Sequence, residues 1–126
     1  GGRLAMILAV LESRCGIPFT GLDVYLNVAG GMKISEPAAD LAVAAALVSA
    51  REDSALPDGA VVFGEISLSG ALRPAPQTEN RLKEAQKLGF TSAIAPTGGK
   101  SIDVSGISLN QMGDLTAFVG EVFGAG

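Results

Sequence analysis

Histidine is absent from the 126 residues, cysteine occurs once and aromatic side chains make up only 5%. Without imidazole, Ser-His-Asp and Cys-His catalysis are excluded, and most zinc sites with them. A serine–lysine or a carboxylate mechanism stays open. The single cysteine, Cys15, cannot close an internal disulfide or supply a cysteine cage for a metal. Placed at the end of an apolar helical pattern, it reads as a packed structural thiol. Long apolar runs are also lacking. The longest, residues 41–50, is far below the roughly 20 residues needed to cross a bilayer. No basic, apolar and small-residue order of a signal peptide opens the chain. These absences lead us to expect a soluble, cytoplasmic protein with no membrane partner. Net charge is −4, which argues against a globally basic nucleic-acid binder and leaves only charge gathered on one face.

Hydrophobic residues make up 48% of the chain and charged residues 17%, enough for one substantial core and too short for two. Seventeen glycines among few aromatics imply close packing by Ala, Val, Leu and Ile, with glycine turns between short elements. Residues 3–14 place Leu4, Ile7, Leu8 and Leu11 at helical spacing, and Gly16-Ile17-Pro18 stops them. The pair Gly1-Gly2 reads as the end of a turn that came after something else, the mark of a fragment. Residues 22–29 alternate as a half-buried strand ending at Gly30-Gly31. Residues 37–50 are apolar on every side, with Pro37 in the first turn and Ser35 or Glu36 as cap, which predicts a helix at the centre of the domain.

Residues 60–66 predict a strand covered on both faces, continued by a hairpin arm, 68–73, across Ser69-Gly70. Residues 78–88 predict a helix with Leu82, Ala85 and Leu88 inward, closed by Gly89. A short strand, 92–95, stops at Pro96, and 102–109 is a weak strand. A last helix, 114–123, turns Leu115, Phe118, Val119 and Val122 inward. The pattern is mixed helix and strand without repeats, an α/β chain of the α+β type with a mixed sheet flanked by helices.

Few residues offer chemistry. Gly98-Gly99-Lys100-Ser101 has the tail of a phosphate-binding P-loop, but the glycine required five positions earlier is Ile94, and residues 102–107 do not read as a helix start. Glu65 lies in an apolar strand, where it should accept hydrogen bonds from backbone or a nearby Lys or Arg; no nucleophile or metal cluster makes it a general base. Glu79 and Lys83 stand four apart in the order that favours an ion pair. Arg73, Arg81, Lys83 and Lys87 outnumber Glu79 and Glu84 in one stretch, a local positive excess that suits either a solvated helix face or contact with phosphate.

Several strings carry a resemblance. Pro37-Ala38-Ala39-Asp40 with the helix behind it, Gly64-Glu65-Ile66-Ser67-Leu68-Ser69-Gly70, and Arg81-Leu82-Lys83-Glu84-Ala85 with Gly89-Phe90 together resemble the proteolytic domain of Lon-type proteases. That domain enters its buried helix through Asp-Gly-Pro-Ser-Ala-Gly, whose serine attacks the peptide. A lysine from Gly-Gly-Leu-Lys-Glu-Lys activates the serine. Aligned without gaps, the serine falls on Ala38 and the lysine on Glu79, so the resemblance implies the fold without the catalytic dyad. An unorthodox nucleophile such as Ser35, with Lys33 near it, or Ser67 would have to stand in for a residual Lon-type peptidase.

Within this family, Asp-Val-Tyr-Leu-Asn-Val-Ala-Gly-Gly at 23–31, Ser-Glu-Pro-Ala-Ala-Asp-Leu-Ala at 35–42 and Val-Val-Phe-Gly-Glu-Ile at 61–66 resemble the RadA (Sms) family. Such proteins join a four-cysteine zinc finger, a RecA-like ATPase and a Lon-like carboxyl-terminal domain. The resemblance implies that this chain is that last domain, lacking the strands that usually precede its first helix and holding no cofactor. ATP, Mg and Zn belong to the longer protein. It also implies a bacterial recombination and repair role, a homo-oligomeric, hexameric ring for the longer protein, and contact with single-stranded or branched DNA. Candidate phosphate contacts are Arg73, Arg81, Lys83, Lys87 and, more weakly, Lys100. A protein-interaction module without DNA contact is the remaining expectation.

Overall fold

A computed structural model describes residues 2–17, 36–98 and 104–124. The strand expected at 22–29, together with Lys33, Ser35 and Lys100, lies outside the described residues. Helix α1 spans Gly2–Cys15. A 3-10 turn, Pro37–Ala39, leads into α2, Asp40–Glu52. Next come β1 (Ala60–Val62), β2 (Glu65–Ile66), β3 (Leu72–Arg73), α3 (Thr78–Lys87), β4 (Ser92–Pro96), β5 (Ser108–Met112) and α4 (Leu115–Phe123).

Three strands form a parallel sheet in the order β1-β4-β5, with Ala60 opposite Ser92 and Ser92 opposite Ser108. Parallel strands need both faces covered, and the alternation of side chains along them divides the cover in two. Val62, Ile94 and Met112 point into one cluster with Ile7, Leu11, Leu41, Val48, Leu115 and Phe118, which come from α1, α2 and α4. Val61, Ala93, Ala95 and Leu109 point the other way, toward Leu82 and Ala85 of α3. The small side chains at 93 and 95 leave room for α3 to lie close on the sheet. The expected α/β architecture, helices flanking a sheet, is therefore present as three layers.

Several local expectations are corrected. The strand read across 60–66 is two: β1 joins the parallel sheet, whereas β2 turns away and pairs antiparallel with β3. The break falls at Gly64, whose φ of +147 suits glycine and whose added Cβ would stand 2.5 Å from Pro96 Cγ. The hairpin arm across Ser69-Gly70 forms as expected. Leu88, read as inward, is 65% exposed, because it caps α3 after the last turn that touches the sheet. The weak strand at 102–109 is displaced: pairing begins at Ser108 and runs to Met112, since β4 continues to Pro96 and offers partners that far. Glu36 precedes the 3-10 turn without a side-chain cap bond. The cap that does form is on α4, where the Asp114 carboxylate accepts from Ala117 N–H at 2.7 Å. Among the described residues, no helix is long and apolar enough to cross a membrane.

Candidate functional site

The entry to α2 is built around Pro37. Its fixed φ starts a tight turn in which Ala39 N–H donates to Glu36 O at 2.9 Å. The turn presents its backbone to the segment after β1. Gly64 N–H donates to Ala38 O at 2.9 Å, and Leu41 N–H donates to Gly64 O at 2.9 Å. Asp40 adds a side-chain link, its Oδ2 accepting from Ile66 N–H at 3.0 Å. This carboxylate is fully buried, in the first turn of α2, where the helix dipole favours negative charge. Helix entry and strand β2 are thus fastened by backbone and carboxylate together. The sequence carried a signal for Asp40 that the apolar reading of 37–50 passed over: one acid at the head of an otherwise apolar helix.

Ala38 lies at the centre of this joint, 4% exposed, in the cluster that also holds Leu82 of α3. Glu79, one turn before Leu82, is exposed, and its Oε2 stands 3.5 Å from Lys83 Nζ, the ion pair expected from their spacing. Ser67 Oγ pairs with Ser69 Oγ at 2.9 Å within the β2–β3 turn. Among the described residues, no lysine forms a hydrogen bond with Ser67.

The structure separates the basic candidates. Lys83 and Lys87 are exposed on α3, four residues apart on one stripe with Glu79. Arg81 is half-buried on another side of α3, and its Nε donates to Pro76 O at 2.9 Å, so part of its guanidinium closes the turn that precedes the helix. Arg73 is elsewhere, on β3, opposite Glu65 of β2. The partner expected for Glu65 is not found: among the described residues, its carboxylate forms no hydrogen bond or ion pair, although Arg73 is its cross-strand neighbour. Both side chains line a shallow surface groove of about 530 Å³ with Met6 of α1 and Leu68.

Ile94, at the position where a phosphate loop needs glycine, is a buried strand residue. No group of three or more His, Cys, Asp or Glu side chains among the described residues could hold a metal ion. Cys15 is half-buried and packs against the larger cluster, as a structural thiol should, with Sγ 3.8 Å from Thr116 Oγ1.

A family model described as subunit ChlI of Mg-chelatase matches residues 5–99. Three relatives, each named DNA repair protein RadA, are similar over most of the chain. The protein from Brucella abortus is 67% identical over 98 residues, 78% of this chain and 21% of its own length. That from Synechocystis is 49% identical over 117 residues, covering 93% of this chain and 23% of the relative. That from Rickettsia bellii is 58% identical over 92 residues, 73% of this chain and 20% of the relative. The chain thus spans about a fifth of the length of these relatives. By these likenesses the chain belongs to the family described as subunit ChlI of Mg-chelatase, in the form carried by the bacterial DNA repair proteins named RadA.

Proposed function

We propose that this chain is a Lon-like but non-catalytic domain of a RadA-type recombination and repair protein, serving self-assembly and DNA contact rather than peptide cleavage. One observation carries the reading. A chain up to 67% identical to RadA proteins has alanine, 4% exposed, where the Lon resemblance places the attacking serine. The second dyad position supports it. Glu79 is a carboxylate held by Lys83, with no amine to take a serine's proton. Ser67, the stand-in nucleophile within the described residues, shares a hydroxyl–hydroxyl hydrogen bond with Ser69.

In this reading ATP hydrolysis, and any Mg or Zn, belongs to parts of the longer protein outside the chain. The domain contributes positive side chains on α3, Lys83 and Lys87 with the free end of Arg81, and Arg73 and Lys100 as further contacts. A net charge of −4 opposes approach to a polyanion, so one copy binds DNA weakly and with steep salt dependence. A ring of copies, hexameric in the longer protein, repeats the patch and converts weak contacts into avidity. The protein acts in the bacterial cytoplasm.

The test titrates labelled duplex and single-stranded DNA with this chain and with a Lys83→Glu, Lys87→Glu variant, at low and moderate salt. Loss of most of the low-salt affinity in the variant is expected. Equal affinity of both proteins removes DNA from the role of α3 and leaves an interaction module. Incubation with unfolded casein and a serine-reactive probe completes the test: turnover or labelling at Ser67 establishes a residual peptidase instead.

A further inference from the structure

The turn that leads into β1 sets a carboxyl group beside an unengaged amide nitrogen. Pro57, Asp58, Gly59 and Ala60 form this turn, closed by Ala60 N–H donating to Pro57 O at 3.3 Å. Gly59 takes the third place with a φ of +73, a conformation glycine adopts without strain. Both Asp58 and Gly59 are exposed. Among the described residues the Asp58 carboxylate has no hydrogen bond or ion pair, and Gly59 N–H donates to no acceptor. Asp-Gly occurs once in the sequence, and Asn-Gly does not occur.

That pair has a chemistry of its own. The amide nitrogen after an aspartate can attack the side-chain carboxyl carbon, and glycine offers the least hindered nitrogen because no Cβ shields it. Here the Gly59 nitrogen gives up its proton and bonds to Asp58 Cγ, a carboxyl oxygen leaves as water, and a cyclic succinimide closes. Water then opens the ring. Addition at the side-chain carbonyl restores aspartate, whereas addition at the main-chain carbonyl leaves the backbone running through Cγ as isoaspartate. One water leaves and one returns, so the step needs no oxidant, metal or cofactor. Asp53-Ser54 is a control within the same chain, because its nitrogen is engaged: Ser54 N–H donates to Ser49 O at 3.0 Å. Residues 54–57 form neither helix nor strand, which gives the Asp58 backbone slack to rotate into the attacking geometry.

We propose that Asp58 is a site of spontaneous isoaspartate formation and that the change weakens the start of the parallel sheet. Gly59 O accepts from Thr91 N–H at 2.9 Å and from Ser92 N–H at 3.2 Å, bonds that hold the beginnings of β1 and β4 side by side. Thr91 also crowds the residue, its Oγ1 lying 2.7 Å from where a Cβ on Gly59 would stand. Isoaspartate adds a methylene to the main chain immediately before this fixed point and leaves a free α-carboxylate at the surface. The resulting strain falls on the two bonds to Gly59 O. None of this depends on DNA contact, assembly or the loss of proteolysis.

The experiment ages the 126-residue chain at neutral pH and physiological temperature, then digests aged and fresh protein in parallel with trypsin. Residues 52–81 leave as one peptide, since Arg73 is followed by proline. Ageing should split this peptide into two chromatographic forms of equal mass, and fragmentation should place isoaspartate at 58 with position 53 unchanged. Transfer of labelled methyl groups from S-adenosylmethionine by an isoaspartyl carboxyl methyltransferase counts the new carboxylates independently. Asp58→Glu, which disfavours ring closure at an exposed position, should keep the fold by circular dichroism and stay a single form. Aged wild type should unfold at a lower urea midpoint than fresh protein, whereas aged Asp58→Glu should show no shift. Absence of isoaspartate at 58 in the folded chain, whether or not the chain aged in urea forms it, overturns the proposal, and so does equal isomerisation at 53 and 58. Isoaspartate at 58 with an unchanged midpoint overturns the weakening of the sheet.

Discussion

Gly64 has the closest surroundings of the described glycines, where the chain leaves the parallel sheet, passes Pro96 and reaches the entry of α2. A Cβ there would lie 2.5 and 2.6 Å from two atoms of the Pro96 ring, and its φ of +147 disfavours any L side chain. Both faults lie in the native state and neither partner is a flexible chain end, so Gly64→Ala should destabilise the fold by about 2 kcal/mol or more, read as a lower urea midpoint at unchanged slope. Cys15 makes a subtler claim. Burial raises its pKa above the ordinary 9.0, a hydrogen bond with Thr116 opposes the shift and the Asp114 charge adds to it. The folded state therefore holds the proton more tightly than the unfolded chain does. That contribution to stability is full below pH 9.0 and is lost as pH rises through the folded value. Stability measured against pH should fall more steeply from about 9 upward in the wild type than in Cys15→Ala, and alkylation of the native thiol should be slow at about pH 8.

At the scale of elements, α4 is the helix most dependent on one local device. Its cap, Asp114, satisfies Ala117 N–H, and the same residue's neighbours tie the helix start to the hairpin through Leu115 N–H and Gly70 O at 2.8 Å. Asp114→Ala should cost about 1 kcal/mol, visible as a lower thermal midpoint. This helix was legible in the sequence because Leu115, Phe118, Val119 and Val122 keep one period, and α1 was legible for the same reason. The split of 60–66 was not legible, because an apolar run reads as one strand whichever sheet its halves join; only the glycine at 64 hinted at the turn. The start of β5 was missed because its side chains are mostly exposed and polar, so its place is fixed by backbone pairing to β4 and not by periodicity. The site shows the same division. Composition and spacing gave the Glu79–Lys83 pair, but the opposition of Glu65 and Arg73 depends on hairpin register, which a sequence does not print.

For the molecule as a whole, the basic helix α3 and the groove beside α1 come from different layers. The basic residues of α3 stand on the helix covering one face of the sheet, and the groove is walled by α1, whose other side chains pack in the opposite layer. The sheet between these layers has a further consequence. Among the described residues its middle strand is β4, the partner of both β1 and β5. A growing chain on the ribosome has already made β1, the hairpin and α3 before Ser92 exists, and Val61 and Val62 must wait for partners encoded some way downstream. Non-local parallel pairing of this kind forms slowly and leaves apolar surface open to other chains in the meantime. Aggregation is therefore expected to begin, where it begins, between the emergence of β1 and the completion of β4.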